Sequence, residues 1–363
     1  MKKILCLLLI SVSAFAQQND LIDMALQPFW KGEIMNNESV LMISKDGKPA
    51  EASLLFKPKK IISVKNSGLN IEYQEGVDWE YKKGKLRLMP GSKAAFMIET
   101  DMYPPDSTTK GFQKRKGGGK VIFREGSFFH EHQLAVTYKH AAGKWKGIVP
   151  VFQGENLPHT MEKLQRGQAI HLLLNGDSIA AGANASAKSN VAPHLPIWGN
   201  LIAEKLKRYY KAPVSFTNTA VGGKDSKWGK SNVQTLVVDH KPDLVIIAFG
   251  MNDGTGKMSR ETFKANVQEM IEKTKEKNKN AEFILVSPML PNPESTFTGT
   301  QEEFKAALDE LKMPGIVVVD MTEVHRELLK FKSYQDMTGN NINHPNDFLI
   351  RWYAQEILGV LIP

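Results

Sequence analysis

LLLNGDSIAAGANAS, residues 172–186, is the stretch of sequence that decides the fold. Its apolar run leads into Gly176, Asp177 and Ser178, and a loop of small residues follows. A short apolar run bounded by turn residues predicts a buried strand. Because Gly, Asp and Ser are also ordinary turn residues, the strand either ends in a simple turn or presents Ser178 as a nucleophile at its carboxyl end. The rest of the sequence has to decide between these two interpretations.

The sequence from residue 168 onward alternates apolar runs with longer segments of helical spacing. The runs are AIHLLLNG (169–176), VSFTNTAV (214–221), DLVIIAFG (243–250), EFILVSP (282–288) and IVVVD (316–320). A final helix is predicted over FLIRWYAQEILGVLI (348–362). This alternation is typical of a parallel sheet covered by helices on both faces. Ligands of such sheets bind at the carboxyl ends of the strands.

Residues 20–160 have a different rhythm, with short alternating strands broken by turn residues about every ten positions. Examples are SVLMISKDGKP (39–49), KIISVKNSGLNIEY (60–73), KLRLMPGSKAAFMIE (85–99) and HQLAVTYKH (132–140). Spacing of this kind favours a β-sandwich. We therefore expect two domains, a β-sandwich over 17–165 and an α/β domain over 166–363.

The first sixteen residues, MKKILCLLLISVSAFA, have the pattern of a secretory signal peptide. Two lysines precede an apolar run that is too short to span a bilayer and that ends in Ala-Phe-Ala. We expect cleavage near Ala16 and a secreted or periplasmic protein. Cys6 is the only cysteine and would be removed with the signal peptide, so the mature chain would contain no disulfide.

The composition is that of an ordinary globular protein, 42% hydrophobic and 24% charged with a formal net charge of +8. The basic segment KGFQKRKGGGK (110–120) is interpreted as an exposed glycine-rich hairpin rather than a polyanion site. We expect no nucleic-acid partner and no membrane span. His130 and His132 have no third ligand nearby in sequence, so we also expect no metal and no cofactor.

Polar residues with complementary chemistry follow the predicted strands. Ser178 follows the first, Gly223 the second and Asn252 the third, and His344 precedes the last helix. A serine hydroxyl needs a neighbouring base to become a nucleophile, and His344 is the candidate base. The backbone N–H groups of Ser178 and Gly223 and the side chain of Asn252 are candidate donors to an oxyanion. The ordered set favours nucleophilic catalysis over a simple turn.

In this order Ser178, Gly223, Asn252 and His344 resemble the four sequence blocks of the SGNH/GDSL hydrolase superfamily. The resemblance covers residues 168–363 and implies a three-layer, flavodoxin-like α/β domain that hydrolyses esters without a metal. A β-sandwich (jelly-roll-like) domain ahead of it is similar to the arrangement in family 2 carbohydrate esterases. Those secreted enzymes remove acetyl groups from plant polysaccharides.

The sequence departs from the superfamily pattern at one position. Where the superfamily usually has Asp three residues before the histidine, this chain has Asn341. Three solutions are open: Asn341 or a backbone carbonyl holds His344 in a Ser-His dyad, Asp336 reaches the ring, or the site is weakened or inactive. We favour the dyad, because some family 2 esterases lack the acidic residue.

The leading hypothesis is therefore a secreted carbohydrate O-acetylesterase that forms an acyl-enzyme on Ser178. An acylated, most simply acetylated, carbohydrate is the expected substrate. The alternatives are a lipase-like or thioesterase-like member of the same superfamily and a non-catalytic glycan-binding protein whose α/β half has decayed. The substitution at Asn341 favours decay, whereas the retention of all four block residues argues against it.

Overall fold

The computed structural model describes residues 20–105 and 110–363, so the predicted signal peptide over 1–16 lies outside the described residues. Residues 20–25 are helical (α1). The strands that follow are β1 Ile34–Leu41, β2 Ile43–Ser44, β3 Glu51–Ala52, β4 Lys60–Asn66, β5 Glu72–Tyr73, β6 Trp79–Lys82, β7 Lys85–Leu88, β8 Met97–Ile98, β9 Phe112–Lys114, β10 Lys120–Ile122 and β11 Gln133–Lys139. Helix α2, Phe128–His132, precedes β11.

The N-terminal half, which we call the β half (residues 20–157), is built on two main sheets. The first has the order β1-β11-β4-β5 and is antiparallel. The second has the order β6-β7-β3-β2-β8 and is antiparallel except between β2 and β8. Val40 and Val136 of the first sheet and Leu86 of the second are fully buried in one core. This arrangement confirms the predicted β fold.

The basic segment forms the predicted hairpin, with β9 and β10 joined through Gly117, Gly118 and Gly119. All three glycines have positive φ, which explains the glycine run. The hairpin docks on the C-terminal half, where the Lys116 N–H donates to the carbonyl of Glu294 (2.7 Å).

The C-terminal half, which we call the α/β half (residues 158–363), alternates strands and helices. Its strands are β12 Ile170–Gly176, β13 Val214–Asn218, β14 Leu244–Ala248, β15 Glu282–Val286 and β16 Ile316–Val319. Its helices are α3 Pro158–Gln165, α4 Trp198–Tyr210, α5 Ser226–Ser231, α6 Val233–Leu236, α7 Met251–Thr255, α8 Arg260–Lys277, α9 Phe304–Asp309, α10 Met321–Leu328 and α11 Asp347–Leu361. Short 3-10 turns occur in both halves, at Glu99–Met102 and Gly154–Asn156 in the β half and at Val238–His240, Gln301–Glu303 and Tyr334–Asp336 in the α/β half.

The five strands of the α/β half form one parallel sheet in the order β13-β12-β14-β15-β16. Side chains of a strand alternate between its faces, and here Leu172 and Leu174 enter one hydrophobic core while Leu173 enters the other. Trp198 of α4 stacks on Tyr353 of α11 on the first side, and α8 packs on the second. The sheet is therefore covered on both faces, which confirms the predicted three-layer, flavodoxin-like fold.

The start of the described chain packs on the last helix. The ring of Phe29 lies 5.0 Å from that of Phe348, and Trp30 lies 5.8 Å from Trp352. The Phe29 N–H also donates to the side chain of Gln355 (2.9 Å). Residues near the N-terminus of the β half thus contribute to the core beneath α11.

The predicted division of the chain between residues 165 and 166 stays a prediction. Helix α3 precedes it, and the Glu282 carboxylate of β15 accepts hydrogen bonds from the first backbone amides of α3, those of His159 and Thr160 (2.9 and 2.8 Å). Within the described ranges, no helix is both long and apolar enough to cross a membrane.

Candidate active site

The parallel sheet brings the four predicted residues to one edge. Ser178 lies two residues past β12, Gly223 five past β13 and Asn252 four past β14, while His344 lies three residues before α11. A Cβ built on Gly222 would lie 3.8 Å from the Cβ of Ser178, so the loop after β13 passes directly beside the serine. The common direction of the strands places these loops together.

Ser178 and His344 are in hydrogen-bond contact. Ser178 Oγ lies 2.9 Å from His344 Nε2, and both residues are buried, with 6% and 8% of their surface exposed. The turn that presents the serine depends on Gly176, since a Cβ there would lie 2.3 Å from the carbonyl oxygen of Ala248. The sequence interpretation of a nucleophile at the strand end is therefore geometrically possible.

Asp177 holds the turn rather than entering the reaction. Its Oδ1 accepts a hydrogen bond from the Ile179 N–H (2.9 Å), and its side chain is buried. Burial raises the pKa of Asp177 to about 7, and the nearby charge of Asp253 adds to the rise. A side chain that accepts from the N–H two residues on is the usual role of Asp in a turn.

The backbone of His344 is fixed by the side chain of Asn340, whose Oδ1 accepts hydrogen bonds from the N–H groups of Ile342, Asn343 and His344 (2.9, 3.0 and 3.1 Å). The hydroxyl of Thr338 donates to the His344 carbonyl (2.9 Å). The imidazole is thus presented by a loop whose own polar groups are paired.

Two side chains contact the Nδ1 atom of His344. Asn184 Oδ1 lies 2.7 Å away, and Glu125 Oε2 lies 3.2 Å away. Asn184 Nδ2 donates to the carbonyls of Gly126 and Gly339 (2.9 and 3.2 Å), so its oxygen must be the atom that faces His344. An acceptor at Nδ1 requires the proton on Nδ1, which leaves Nε2 free to accept the proton of Ser178.

The expectation that Asn341 or Asp336 orients His344 is wrong. The Asn341 oxygen accepts hydrogen bonds from Asn292 and Gln335, and its Nδ2 donates to the carbonyl of Ile122 (3.0 Å). The Asp336 carboxylate accepts from the N–H groups of Leu41 and Ser333 (2.7 and 2.9 Å). Both side chains are fully engaged where the two halves meet and make no hydrogen bond to the imidazole.

Glu125 and Asn184 are therefore the residues that the sequence analysis missed. Glu125 belongs to the β half, between β10 and α2. Burial by itself raises the pKa of Glu125, but hydrogen bonds and charge from His344 and the amides of Asn340 and Asn184 outweigh burial and leave this pKa below its usual value. The carboxyl group is thus ionised at neutral pH.

The three predicted oxyanion donors keep free N–H groups. Among the described residues, the backbone N–H groups of Ser178 and Gly223 have no hydrogen-bond acceptor. Gly223 has a φ of +74°, a conformation that favours glycine. Asn252 Nδ2 donates one hydrogen to the Lys224 carbonyl (2.8 Å), which fixes the amide and leaves its second hydrogen available. Free donors are what a developing oxyanion requires.

Other conspicuous polar residues brace this edge. Asn218 Nδ2 donates to the Ala180 carbonyl, and its oxygen accepts from the Ala220 N–H (both 2.9 Å). The Asp253 carboxylate accepts from the Ser226 N–H at the start of α5 (2.9 Å). Over residues 20–105 and 110–363, no group of three or more His, Cys, Asp or Glu is arranged to hold a metal ion.

Comparison with known proteins gives consistent results. Among solved structures, a two-domain esterase (CEX) active on acetylated mannans aligns with a TM-score of 0.49 and 21% identity over 59% of this chain and 54% of that one. The thioesterase 1/protease 1/lysophospholipase L1 of Escherichia coli K12 is 27% identical over 33% of this chain and 51% of its own. An arylesterase of Vibrio mimicus is 28% identical over 30% of this chain and 50% of its own. The chain spans about half the length of the curated relatives it matches.

A family comparison bears on the site itself. Residues 174–348 match the GDSL-like Lipase/Acylhydrolase family, and this range contains Ser178, Gly223, Asn252 and His344. The α/β half of this chain is therefore similar to the GDSL-like Lipase/Acylhydrolase family over the residues that carry the candidate site.

Proposed function

We propose that this protein is an exported serine ester hydrolase that removes short acyl groups, chiefly acetyl, from carbohydrates. The observation that carries the proposal is the 2.9 Å contact between Ser178 Oγ and His344 Nε2, with the tautomer of His344 set by Asn184. This pair is what a serine nucleophile and its general base require. The carboxylate of Glu125 beside His344 also argues against a decayed, non-catalytic site.

The reaction follows from these contacts. His344 Nε2 takes the proton of Ser178 as Oγ attacks the acyl carbonyl, and the N–H groups of Ser178, Gly223 and Asn252 hold the oxyanion. His344 then gives the proton to the departing sugar oxygen, which leaves the acyl group on Ser178. Water then attacks this ester as His344 takes one of its protons, the bond between the acyl carbon and Ser178 Oγ breaks, and His344 returns the proton to Oγ as the carboxylic acid leaves.

Two features support a short acyl group on a carbohydrate. The loop that follows the nucleophile, Ala180 to Ser186, consists of small residues with the polar Asn184 among them, and it offers little apolar surface to a long acyl chain. The order of a β half ahead of a hydrolase is similar to that of family 2 carbohydrate esterases. Export is supported by the signal-peptide pattern of residues 1–16, which fits an extracellular polysaccharide substrate.

The test is hydrolysis of aryl esters from acetyl to octanoyl by the mature protein and by Ser178→Ala. We expect activity to peak at acetyl and to fall to background in the variant. Ser189→Ala is the matched control and should keep full activity, because this serine lies three residues past that loop and makes no hydrogen bond to His344. Acetate release from acetylated polysaccharides would then test the carbohydrate part of the proposal.

Other outcomes would contradict particular parts of the proposed function. A peak at longer acyl chains would replace the acetylesterase with a lipase-like or thioesterase-like hydrolase. No activity above Ser178→Ala on any ester would contradict the catalytic proposal, and glycan binding by the intact Ser178→Ala protein would then favour the binding alternative. Cleavage of the leader is checked by N-terminal sequencing of the exported protein.

A further inference from the structure

We infer that Glu125, supplied by the β half, is the acidic positioning residue of the hydrolase site and shares with Asn184 the work that one aspartate does in other Ser-His-Asp enzymes. The inference rests on the proposed function, and it makes the β half a part of the catalytic apparatus.

Glu125 is held in place from both sides. Its Oε1 accepts a hydrogen bond from Asn340 Nδ2 (3.1 Å), which leaves Oε2 turned toward His344 Nδ1 at 3.2 Å. The backbone before it is anchored as well, because the Arg124 N–H donates to the Asn340 carbonyl (3.4 Å). Asn340 therefore fixes both the backbone of His344 and the carboxylate that faces its ring.

Asn184 and Glu125 have different chemical abilities. The neutral amide of Asn184 accepts the Nδ1 proton and fixes the tautomer, but it carries no charge to offset the imidazolium that forms in the reaction. A carboxylate does both. With Asn184 already 2.7 Å from Nδ1, Glu125 is left with the electrostatic part.

The two halves are locked together around this contact. Gln133 of β11 donates to the carbonyls of Gln335 and Thr338 (both 2.8 Å), in the loop that leads to His344. Asn346, two residues after His344, donates in turn to the Gln133 oxygen (3.0 Å). These buried bonds fix the distance from Glu125 to the imidazole.

The expected loss of kcat in Glu125→Gln depends on how far the Glu125 side chain is exposed to solvent. The Glu125 side chain is 52% exposed, so solvent weakens its interaction with the imidazolium. We expect the kcat of Glu125→Gln at pH 8 to fall about tenfold with KM unchanged, rather than the roughly 10⁴-fold loss that follows a wrong tautomer. Gln keeps an oxygen for Asn340 and places a neutral NH2 group where the charged oxygen faced His344 Nδ1, while Asn184 still accepts the Nδ1 proton.

The diagnostic readout is the pH profile of kcat on an aryl acetate, which a merely structural role would not move. Glu125 and Asp177 are two titratable groups that interact with His344, and Asp177 is the same in every variant. Because Glu125→Gln removes a negative charge 3.2 Å from His344 Nδ1, the acidic limb of the profile should move to lower pH. Glu131→Gln removes the same charge from an exposed position in α2 and should leave both kcat and the profile unchanged.

Each outcome of these measurements either supports or contradicts the inference about Glu125. A lower kcat with a displaced acidic limb, in a Glu125→Gln protein whose melting temperature matches that of wild type, supports the inference. If the wild type is active and Glu125→Gln behaves like Glu131→Gln, the inference is wrong and the proposed function stands. If Glu125→Gln loses activity and also unfolds at lower temperature with no displaced limb, Glu125 has only a structural role and the inference is again wrong. A wild-type protein that hydrolyses no ester overturns the proposed function and this inference with it.

Discussion

Lys332 Nζ and Glu38 Oε1 lie 2.5 Å apart, and neither side chain is exposed to solvent. Glu38 belongs to β1 and Lys332 to the segment that leads to His344, so the ion pair joins the two halves. The Glu38 carboxylate also accepts hydrogen bonds from the Leu55 N–H (2.8 Å) and the Tyr138 hydroxyl (2.5 Å). A buried charge that loses its partner is strongly destabilising, whereas replacement of both charges is often tolerated.

Replacement of Lys332 alone should therefore be costly. We expect Lys332→Met to lower the free energy of unfolding by about 3–5 kcal/mol, because Glu38 stays buried and unpaired. The double variant Glu38→Gln/Lys332→Met should recover part of this loss. Urea denaturation measures the free energy of unfolding of the single and the double variant. Lys59→Met, which removes a side chain that is 59% exposed and is paired with the equally exposed Glu33, is the control and should cost below about 1 kcal/mol. A Lys332→Met protein as stable as this control would contradict the prediction.

Asn184 and Glu125 should each compensate in part for loss of the other, because both contact His344 Nδ1. In Asn184→Ala the Glu125 carboxylate can still accept the Nδ1 proton of His344, so we expect kcat to fall about tenfold. In the double variant with Glu125→Gln nothing sets the tautomer, and the loss should approach 10⁴-fold, well beyond the product of the single effects. Steady-state kcat values of both singles and the double check this. Asn184 and Asn190 have φ values of +62° and +55°, so Asn190→Ala controls for the effect of alanine on the backbone. Purely multiplicative losses of kcat would refute the redundancy.

Gly223 offers a matched pair with Gly117 of the hairpin. Their φ values are +74° and +79°, and a Cβ added at either would meet nothing within 4 Å. Alanine should therefore destabilise both variants by about 1 kcal/mol through backbone strain alone. Only Gly223→Ala should also displace an oxyanion donor and lower kcat by about 10²-fold. Equal kcat values for the two variants would remove Gly223 from the oxyanion site.

Glu356 of α11 should make stability depend on pH. Burial raises its pKa from the usual 4.5 to about 8, and the Asp320 charge adds to the rise. Because the folded state then binds the proton more tightly than the unfolded state, this contribution to stability is complete below about pH 4.5 and is lost as pH rises toward 8. Across that window we expect the free energy of unfolding of Glu356→Gln to rise relative to that of wild type by up to about 1.4 kcal/mol per pH unit.

Urea denaturation at half-unit pH steps between 4 and 9 measures this gap, which is the difference in free energy of unfolding between Glu356→Gln and wild type. Glu276→Gln, an exposed glutamate of α8, is the control for the loss of one charge. A gap between Glu356→Gln and wild type that is constant with pH would show that Glu356 does not titrate in this window.

The local patterns predicted the edge of the sheet and the residues on it. Each strand of the parallel sheet is followed within two residues by a glycine or a polar residue, so the positions of Ser178, Gly223 and Asn252 follow from chain order. Asn341 misled the interpretation because spacing from His344 says nothing about side-chain direction, and its φ of +69° belongs to a turn whose amide is engaged elsewhere. Glu125 is 219 residues from His344 in sequence. No periodic pattern encodes a contact between two halves, so only the folded chain reveals it.

The hydrogen bonds of Gln133 to the loop that carries His344 have a consequence for the descent of this protein. A gene rearrangement that moved residues 166–363 onto a new partner would carry Ser178 and His344 but leave Glu125 and Gln133 behind. The transplanted piece would inherit the nucleophile, the base, Asn184 and Asn340, but neither the carboxylate that faces the base nor the glutamine that holds its loop. The two halves are therefore expected to be inherited as a pair, and an evolutionary tree built from either one should match the tree built from the other.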